Sequence, residues 1–217
     1  MEKLKEIDQR SIIWKSIKQD GLNLEYSVPV PKIIADNLLK ELEETLEYFT
    51  GDLSRIKVFG KVYPLPRQQV SYGDPGITYK YSGLTVPALP WPAPVLALRE
   101  FLVSLIGINY DFVLVNKYRN GHDHMGEHRD DEPELDHEQP IASVSLGQER
   151  TFVLKHKGAR KPGKDKKLIA PVKIELEHGS VLLMKPPTNE IWYHSLPPRK
   201  KLLGARINLT FRKMRMK

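Results

Sequence analysis

Cysteine is absent from the 217-residue chain, and no apolar run is long enough to cross a bilayer. Without cysteine there are no disulfides and no thiolate ligands, so any metal must be held by histidine and carboxylate side chains. The charged first residues, Met1 to Lys5, lead into no apolar stretch of the kind found in signal peptides. We therefore expect a globular protein without a membrane partner, in keeping with 40% hydrophobic and 28% charged residues.

Positive charge is concentrated in the last third of the chain. From Lys155 onwards there are 17 lysines and arginines against four acidic residues, a net charge of +13. The first 154 residues carry 17 basic and 23 acidic residues, a net charge of −6. This segregation favours contact between the C-terminal third and a polyanion, although solvated basic loops would explain the charge equally well.

Hydrophobic periodicity divides the chain into helices followed by strands. Helical spacing over residues 8–19, 31–50 and 95–105 predicts three helices. Residues 1–52 are predicted to be an N-terminal helical extension, and 53–217 a single unit that consists mainly of strands. Many strands in close succession predict an α+β fold with an antiparallel sandwich or barrel as its core. A proline-rich loop is expected over 84–94, and strands over parts of 53–85 and over 112–118, 141–146, 151–156, 168–176, 180–184 and 206–212.

A histidine-rich segment offers a candidate metal site. His128 and Asp130 are two residues apart, so on an extended strand both side chains point to one face. His194 is the best placed distant histidine to complete the set. Two imidazoles and one carboxylate leave three positions of Fe(II) open on one side, where a bidentate cosubstrate and O₂ can bind together. We interpret these three residues as catalytic iron ligands.

Two other interpretations of this segment remain open at the level of the residues. The His128–Asp130 pair could be a hydrogen-bonded pair on a surface loop. Alternatively, His122 and His124 form a His-x-His pair that Glu127 follows closely, similar to the ligand set of a cupin, although the spacing to the glutamate is short.

The last predicted strand places two cations on one face. Arg206 and Arg212 share that face with Thr210, while apolar residues occupy the other. Two arginines inside an alternating apolar strand are costly unless an anion is present, and a dicarboxylate would satisfy both guanidinium groups. Asn116 and Tyr118 share a face of another strand and could bind the same ligand. The alternative is a half-exposed strand with a basic outer face.

Taken in order, these motifs resemble the AlkB family of Fe(II)- and 2-oxoglutarate-dependent dioxygenases over about residues 53–214. The motifs are Asn116-x-Tyr118, His128-x-Asp130, His194 and Arg206-x-Asn208-x-x-x-Arg212. The resemblance implies a double-stranded β-helix (jelly-roll) core with the N-terminal helices packed outside it. It also implies Fe(II), 2-oxoglutarate and O₂ as cofactors. Arg206 would pair with the distal carboxylate of 2-oxoglutarate, Arg212 would lie near the carboxylate beside the keto group, and Asn116, Tyr118 and Thr210 would complete the pocket.

Within the family, the chain is most similar to the AlkB homologue 2 type, the eukaryotic demethylases that repair double-stranded DNA. The resemblance rests on Val58-Phe-Gly-Lys61, Thr78-Tyr-Lys-Tyr81, Gly126-Glu-His-Arg-Asp-Asp-Glu132, Trp192-Tyr-His-Ser-Leu-Pro197 and Arg199-Lys-Lys201. It implies a monomer that repairs N-alkylated bases of duplex DNA by oxidation, with 1-methyladenine and 3-methylcytosine as substrates and etheno adducts as a further class. The DNA substrate in turn predicts a nuclear location. Formaldehyde and succinate would be released. No peptide for binding a replication clamp is visible in the sequence.

The same resemblance assigns residues to the substrate. In this branch the phenylalanine of a hairpin, here Phe59, enters the duplex and fills the space left by a flipped base. The alternative role for Phe59 is that of a hairpin core residue. The predicted base-contacting residues are Val58, Phe59, Gly60, Lys61, Tyr79, Lys80, Tyr81, Asp131 and Glu132. The predicted DNA-backbone contacts are Arg160, Lys161, Lys164, Arg199, Lys200 and Lys201.

Two alternative functions are compatible with these residues. One is an AlkB-like demethylase of single-stranded DNA or RNA, and the other is a non-catalytic DNA-binding module with a vestigial metal site. The complete triad and both arginines favour an enzyme over the binding module.

Overall fold

Most strands of the two main antiparallel sheets come from the second half of the chain. The computed structural model describes residues 2–58, 60–81, 84–160, 165 and 167–215. In that part of the chain the α-helices are α1 (Glu2–Lys5), α2 (Lys32–Thr45), α3 (Ala93–Ile106) and α4 (Thr188–Ile191). The strands are β1 (Lys15–Gln19), β2 (Leu22–Ser27), β3 (Arg55–Val58), β4 (Lys61–Pro64), β5 (Gln68–Gly73), β6 (Thr78–Tyr81), β7 (Leu84–Pro87), β8 (Phe112–Tyr118), β9 (Met125–His128), β10 (Ile141–Gly147), β11 (Arg150–His156), β12 (Val172–Leu176), β13 (Ser180–Met184), β14 (Trp192–Leu196) and β15 (Arg206–Arg212).

The two sheets form the core of the fold. The larger has seven strands in the order β1-β2-β13-β10-β15-β8-β5, and the smaller has four in the order β12-β11-β14-β9. The hairpins β3–β4 and β6–β7 lie outside both sheets. Leu114 and Leu182 of the larger sheet share an apolar cluster with Leu154 of the smaller one, so the two sheets pack together. This arrangement confirms the predicted jelly-roll core.

Helices α2 and α3 cover the outer face of the larger sheet. Strand β15 contributes Ile207, Leu209 and Phe211 to an apolar cluster that also contains Leu38 of α2 and Leu98 of α3. Because side chains alternate along a strand, the polar residues of β15 point the other way, towards the smaller sheet. The sequence pattern of this strand therefore fixes which face lines the interior between the sheets.

The predicted second and third helices are confirmed. Helix α2 starts directly after Pro31, a residue favoured where helices begin, and ends at Thr45, earlier than expected. Helix α3 ends at Ile106, directly before Gly107, which has a left-handed φ of 79° and donates its amide to the carbonyl of Val103 at 2.8 Å. Glycine adopts this backbone conformation without steric cost, so its position sets the end of the helix.

The prediction of a helix over residues 8–19 is wrong. The segment contains a short 3-10 turn and then β1, which pairs with β2, and β2 in turn pairs with β13. The turn between β1 and β2 is Asp20-Gly21, and both residues have positive φ (45° and 77°). Asp-Gly is a strong signal for a two-residue hairpin, and pairing with the sheet satisfies backbone groups that a short exposed helix would have to satisfy alone.

Other expectations differ from the structure at their boundaries. Strand β12 starts at Val172 rather than at 168, because its pairing with β11 extends only from Leu154 to Arg150. The predicted loop over 84–94 begins with β7, which pairs with β6. The predicted division at residue 52 stays a prediction, although β2 from the N-terminal segment belongs to the larger sheet. Among the described residues, no helix is long and apolar enough to span a membrane.

Candidate active site

The three predicted metal ligands lie together at one end of the smaller sheet. His128 ends β9, Asp130 follows two residues later, and His194 is the residue of β14 paired with His128. The Nε2 atoms of the two histidines are 3.2 Å apart. The Oδ1 atom of Asp130 lies 3.5 Å from Nε2 of His128 and 3.8 Å from Nε2 of His194. Pairing of two distant strands thus brings together residues that are far apart in sequence.

These distances fit one octahedral transition-metal ion. Ligand atoms about 2.1 Å from a metal and at right angles to one another are separated by about 3 Å, close to the spacings found here. A hydrogen bond of 3.0 Å joins Nδ1 of His128 to the carbonyl of Gly126, so the proton resides on Nδ1 and Nε2 is free to bind a metal. The residues present therefore suit Fe(II).

Protonation states at the site also favour metal binding. Burial and, secondarily, the neighbouring His128 lower the pKa of His194 to about 3, so this imidazole is neutral at physiological pH. Burial alone would raise the pKa of Asp130, but Arg212 and the two histidines hold it well below its ordinary value. Two neutral imidazoles and one carboxylate are the forms in which these groups coordinate a metal.

The cupin-like alternative is not assembled. Within the described part of the chain, the cluster able to hold a metal comprises His128, Asp130 and His194. The Nδ1 atom of His124 instead hydrogen-bonds the carbonyl of His122 at 3.0 Å. Glu127 points to the basic strand β11, where its carboxylate pairs with Lys155. The interpretation of His128 and Asp130 as an isolated surface pair is likewise wrong, because His194 joins them.

Arg206 is a buried cation that suits an anionic ligand. Its side chain is 2% exposed and donates from Nη2 to Oγ of Ser145 at 2.9 Å, and its Nε has no hydrogen-bond partner among the described residues. Its guanidinium carbon lies 5.3 Å from the centre of the Tyr118 ring. Burial, followed by the nearby charge of Arg150, lowers the pKa of Arg206 to about 10. A carboxylate is the partner that such a group calls for.

Arg212 has a different environment, although it lies on the same face of β15. Its Nη2 donates to Oδ2 of Asp130 at 2.7 Å, and its Nη1 to the carbonyl of Thr210 at 3.2 Å. Burial alone would lower its pKa, but the carboxylate of Asp130, followed by Tyr79 and Glu132, raises it above the ordinary value. Arg212 therefore orients the carboxylate of Asp130, a metal ligand, and keeps it ionised. Its predicted contact with the carboxylate beside the keto group stays a prediction.

A cavity of about 810 Å³ between the two sheets contains all of these groups. This volume is in the range of small-molecule sites and is large enough for 2-oxoglutarate together with part of a substrate. Asn116, Tyr118 and Thr210 line it, and their contact with 2-oxoglutarate stays a prediction. Two polar residues that the motifs did not identify also take part. Arg67 donates from Nε to Oδ1 of Asn116 at 2.8 Å, and Ser143 accepts from Nδ2 of Asn208 at 2.8 Å.

Comparison with known proteins identifies the family. A model of the 2OG-Fe(II) oxygenase superfamily matches residues 30–212. The mouse protein named "DNA oxidative demethylase ALKBH2" is 48% identical over 208 residues, which cover 95% of this chain and 86% of the mouse protein. The chain belongs to the AlkB family of 2OG-Fe(II) oxygenases. Its cofactors are therefore Fe(II), 2-oxoglutarate and O₂, as the sequence predicted.

Further relatives of the oxygenase agree. The human "DNA oxidative demethylase ALKBH2" is 49% identical over 201 residues, covering 93% of this chain and 77% of the human protein. A rat protein, "Alpha-ketoglutarate-dependent dioxygenase alkB homolog 3", is 35% identical over 179 residues, covering 80% of this chain and 60% of its own. The solved structure "The structure of OsALKBH1" superimposes with a TM-score of 0.59 at 18% identity, over 93% of this chain and 100% of that one, which supports the fold.

The predicted base-contacting residues of the oxygenase are distributed around the metal triad. Tyr79, Lys80, Asp131 and Glu132 line the cavity. Tyr79 is 1% exposed, and its ring centre lies 5.0 Å from that of Phe112. Burial, with the adjacent charge of Asp130, raises the pKa of Glu132 to about 7.

The hairpins that carry the other predicted base contacts are only partly described. Val58 pairs with Lys61, and Gly60 between them has a left-handed φ of 81°. The predicted wedge residue Phe59 and the side chains of Val58 and Tyr81 lie outside the described residues, so their roles stay predictions.

The predicted DNA-backbone residues of the oxygenase lie on two separate segments. Arg160 packs over the ring of Tyr193, at 3.9 Å from its centre, and its Nε lies 3.4 Å from Oε2 of Glu127. Arg199 donates from Nη1 to Oγ1 of Thr151 at 3.1 Å, whereas Lys200 and Lys201 are exposed. Lys161 and Lys164 lie outside the described residues.

Proposed function

We propose that this oxygenase repairs N-alkylated bases of double-stranded DNA by oxidation, with 1-methyladenine and 3-methylcytosine as substrates and etheno adducts as a further class. The observation that carries the proposal is a single cavity lined by the metal triad, by Arg206 and by Ile56, which belongs to the exposed β3–β4 hairpin. A cosubstrate site and a surface hairpin thus meet at one opening. The two ALKBH2 relatives are named DNA oxidative demethylases, which supports DNA as the substrate.

The chain's own residues hold the reactants in place. When bound, Fe(II), 2-oxoglutarate and O₂ together supply the oxidation of an N-methyl carbon, which yields formaldehyde, the unmodified base, succinate and CO₂. His128, Asp130 and His194 would hold the iron, and Arg206 would bind the distal carboxylate of the cosubstrate. Arg212 keeps Asp130 ionised and correctly oriented through their 2.7 Å hydrogen bond.

A base must leave the duplex to reach this cavity. Two of the three ligands are buried between the sheets, with Asp130 3% and His194 4% exposed, so a base stacked in a helix is out of reach. The β3–β4 hairpin presents apolar side chains to solvent beside the opening, since Val62 is 60% and Tyr63 46% exposed. Apolar residues there suit contact with unstacked bases, which agrees with Phe59 as the residue that fills the gap.

Glu132 gives the cavity a preference for a cationic base. Its Oε2 atom is buried and has no hydrogen-bond partner in the described structure, and the pKa of the carboxyl is raised to about 7. A base methylated on a ring nitrogen carries positive charge, which would favour the ionised form of Glu132. Such a base would therefore bind more tightly than its neutral parent.

The proposed DNA substrate also bears on the phosphate contacts of the protein and on its location in the cell. The exposed Lys200 and Lys201, together with the basic residues after Lys155, would contact the phosphates of the duplex. A protein that acts on genomic DNA is expected to work in the nucleus, and we propose that it does so as a monomer.

Formaldehyde release tests the proposal directly. The purified protein, supplied with Fe(II) and 2-oxoglutarate, is expected to release one formaldehyde and one succinate per repaired base from a duplex containing 1-methyladenine or 3-methylcytosine. Turnover on a single-stranded oligonucleotide or an RNA of the same sequence measures the strand preference. Absence of turnover on all alkylated nucleic acids, with iron and cosubstrate demonstrably bound, would refute it.

Replacing Phe59 with alanine should impair activity on duplex DNA selectively. Without a side chain to fill the gap, the cost of unstacking, a few kcal/mol, is no longer offset, so we expect kcat/KM on duplex to fall about 10- to 100-fold. Activity on a single strand carrying the same lesion should change less than about threefold, because no base pair has to be opened. Replacement of the exposed Ile33 of helix α2 by alanine is the control, because it removes an exposed apolar side chain on the other side of the larger sheet. Equal losses on both substrates would contradict the role of a wedge.

Replacing Glu127 with glutamine should tighten DNA binding. The Glu127 carboxylate pairs with Lys155 and lies 3.4 Å from Nε of Arg160, so it neutralises two cations on the predicted phosphate-binding surface. Its removal frees both for phosphates, and we expect affinity at low salt to rise about fivefold and the salt dependence to become steeper by about one unit. Binding titrations at several salt concentrations measure both. Weaker binding would instead indicate that Glu127 orients Arg160 for DNA.

A further inference from the structure

Two loops next to the cavity are joined into one unit. One loop, residues 119–124, follows β8, and the other, residues 197–202, follows β14. The amide of Gly121 donates to the carbonyl of Leu202 at 2.8 Å, and the amide of Arg199 donates to the carbonyl of Gly121 at 2.7 Å. A Cβ atom on Gly121 would lie 1.8 Å from the carbonyl oxygen of Arg199, so a glycine is required for this approach. We call these two segments the loop pair.

A buried arginine bonds both members of the loop pair. Arg150, the first residue of β11, is 2% exposed. Its Nη2 donates to the carbonyl of Asp123 at 2.9 Å and to that of Pro197 at 2.9 Å, and its Nη1 donates to the carbonyl of Asn120 at 3.3 Å. One guanidinium group therefore satisfies carbonyls from each loop. Hydrogen bonds from a charged donor are stronger than those from a neutral one, and a lysine could not span these three positions.

The loop pair is also fixed from its outer side. Arg119 donates from Nε to Oδ2 of Asp123 and from Nη2 to Oδ1, both at 2.8 Å, and its backbone amide adds a third bond of 2.8 Å to Oδ2. The residue whose carbonyl accepts from Arg150 is therefore held at its side chain as well. The loop pair has little freedom to move as long as both arginines are in place.

The two ends of this unit face different parts of the molecule. At the solvent end, Arg199, Lys200 and Lys201 are exposed and form the basic loop proposed to contact DNA. At the buried end, the guanidinium carbon of Arg150 lies 5.7 Å from the ring centre of Tyr118, which lines the cosubstrate cavity. Arg150 itself is buried and far too enclosed to touch a nucleic acid.

We propose that Arg150 is a positioning residue for the DNA substrate, because it holds the basic loop at Arg199, Lys200 and Lys201 in the conformation that meets the phosphate backbone. The inference rests on the proposed function of DNA binding. A loop that is already ordered before binding loses less conformational freedom on association, so its phosphate contacts contribute more to affinity. Without Arg150 the three cations remain on the chain, but they no longer converge on one stretch of backbone.

Replacement of Arg150 by lysine tests this in the iron-loaded full chain. The Kd for a duplex with one 1-methyladenine is expected to rise about tenfold near 0.1 M salt. The slope of log affinity against log salt should become shallower by about one to two units, because fewer phosphates are contacted. The KM for 2-oxoglutarate should stay within about twofold of wild type. Arg99→Lys is the matched control, since Arg99 bonds the carbonyl of Tyr110 away from the cavity, and it should leave both quantities unchanged.

Gly121→Ala provides an independent test that leaves Arg150 in place. The added Cβ forces the two loops apart, so the same loss of DNA affinity and of salt dependence is expected, with 2-oxoglutarate binding retained. This variant decides the matter if Arg150→Lys fails to fold. Wild-type affinity and slope in both variants, or a raised KM for 2-oxoglutarate with unchanged DNA binding, would overturn the role assigned to Arg150. If the wild-type protein itself binds no duplex, the proposed function fails first.

Discussion

The substitution Asp130→Ala is expected to abolish iron binding and turnover together. Asp130 is the carboxylate of the metal triad and the partner of the buried Arg212, with which it forms a hydrogen bond of 2.7 Å. Its loss leaves two imidazoles beside an uncompensated cation that repels a metal ion. We expect succinate formation to fall about 10³-fold or more, equivalent to about 4 kcal/mol or more in activation free energy. The unpaired arginine should also lower the free energy of unfolding by about 3–5 kcal/mol.

The alternative ligand set supplies the matched control for this prediction. His124→Ala removes a histidine of the same segment whose Nδ1 only bonds the carbonyl of His122. It should bind Mn(II), a spectroscopic substitute for Fe(II), with wild-type affinity, whereas Asp130→Ala should bind none at micromolar concentration. Circular dichroism establishes that both variants are folded. Retention of the metal by Asp130→Ala, or its loss from His124→Ala, would show that the ligands have been assigned to the wrong residues.

The substitution Arg206→Met should weaken cosubstrate binding and stabilise the cosubstrate-free protein. Arg206 is 2% exposed and has no acidic partner among the described residues, so at neutral pH its charge is a cost to the folded state, as its pKa of about 10 indicates. An apolar side chain of similar volume removes that cost, and we expect a gain of about 1–3 kcal/mol in the free energy of unfolding. Loss of two charged hydrogen bonds should weaken 2-oxoglutarate binding about 10²- to 10³-fold.

The prediction for Arg206→Met is specific because the stability of the protein should rise while its affinity for 2-oxoglutarate falls. Urea unfolding of the cosubstrate-free protein measures the stability, and titration of the Mn(II)-loaded protein with 2-oxoglutarate measures the affinity. The wild type should gain stability from added 2-oxoglutarate, while Arg206→Met should not. Arg206→Lys keeps the charge without the planar fork and should lie between the two in affinity. Wild-type affinity in the methionine variant would place the distal carboxylate elsewhere.

The sequence predicted several central strands well because they are β-prone runs bounded by glycine, proline or charged turns. The bounds of β8, β13 and β15 match these runs residue by residue. The first strand was harder to predict because the spacing of Ile13 and Ile17 suits a helix as well as a strand, and only the Asp20-Gly21 turn decides for a strand. Strands β9 and β14, which carry two of the metal ligands, are not marked by such runs.

The residues of the candidate site could be predicted from the sequence, but which of them hydrogen-bond one another could not. His128, Asp130, His194 and Arg206 follow from motif order and from the cost of burying a cation. That Arg212 binds Asp130, whereas Arg206 has no acidic partner in the described structure, depends on how β15 lies relative to the loop after β9. The role of Arg150 had no local signal, because its partners are backbone carbonyls of loops distant in sequence, and any residue type could supply them.

The place of β15 between β10 and β8 has a consequence for the kinds of genetic change that this protein can survive. Its apolar residues meet the helices and its polar residues meet the cavity, and pairing with both neighbours fixes the register from Arg206 to Phe211. A single inserted or deleted residue would exchange the two faces, driving Arg206 into the helical layer and an aliphatic side chain into the cavity. Single substitutions can be tolerated, but an insertion or deletion in these seven residues disrupts the hydrophobic core and the cofactor site together. Among natural variants, β15 should therefore show amino-acid substitutions but no insertions or deletions.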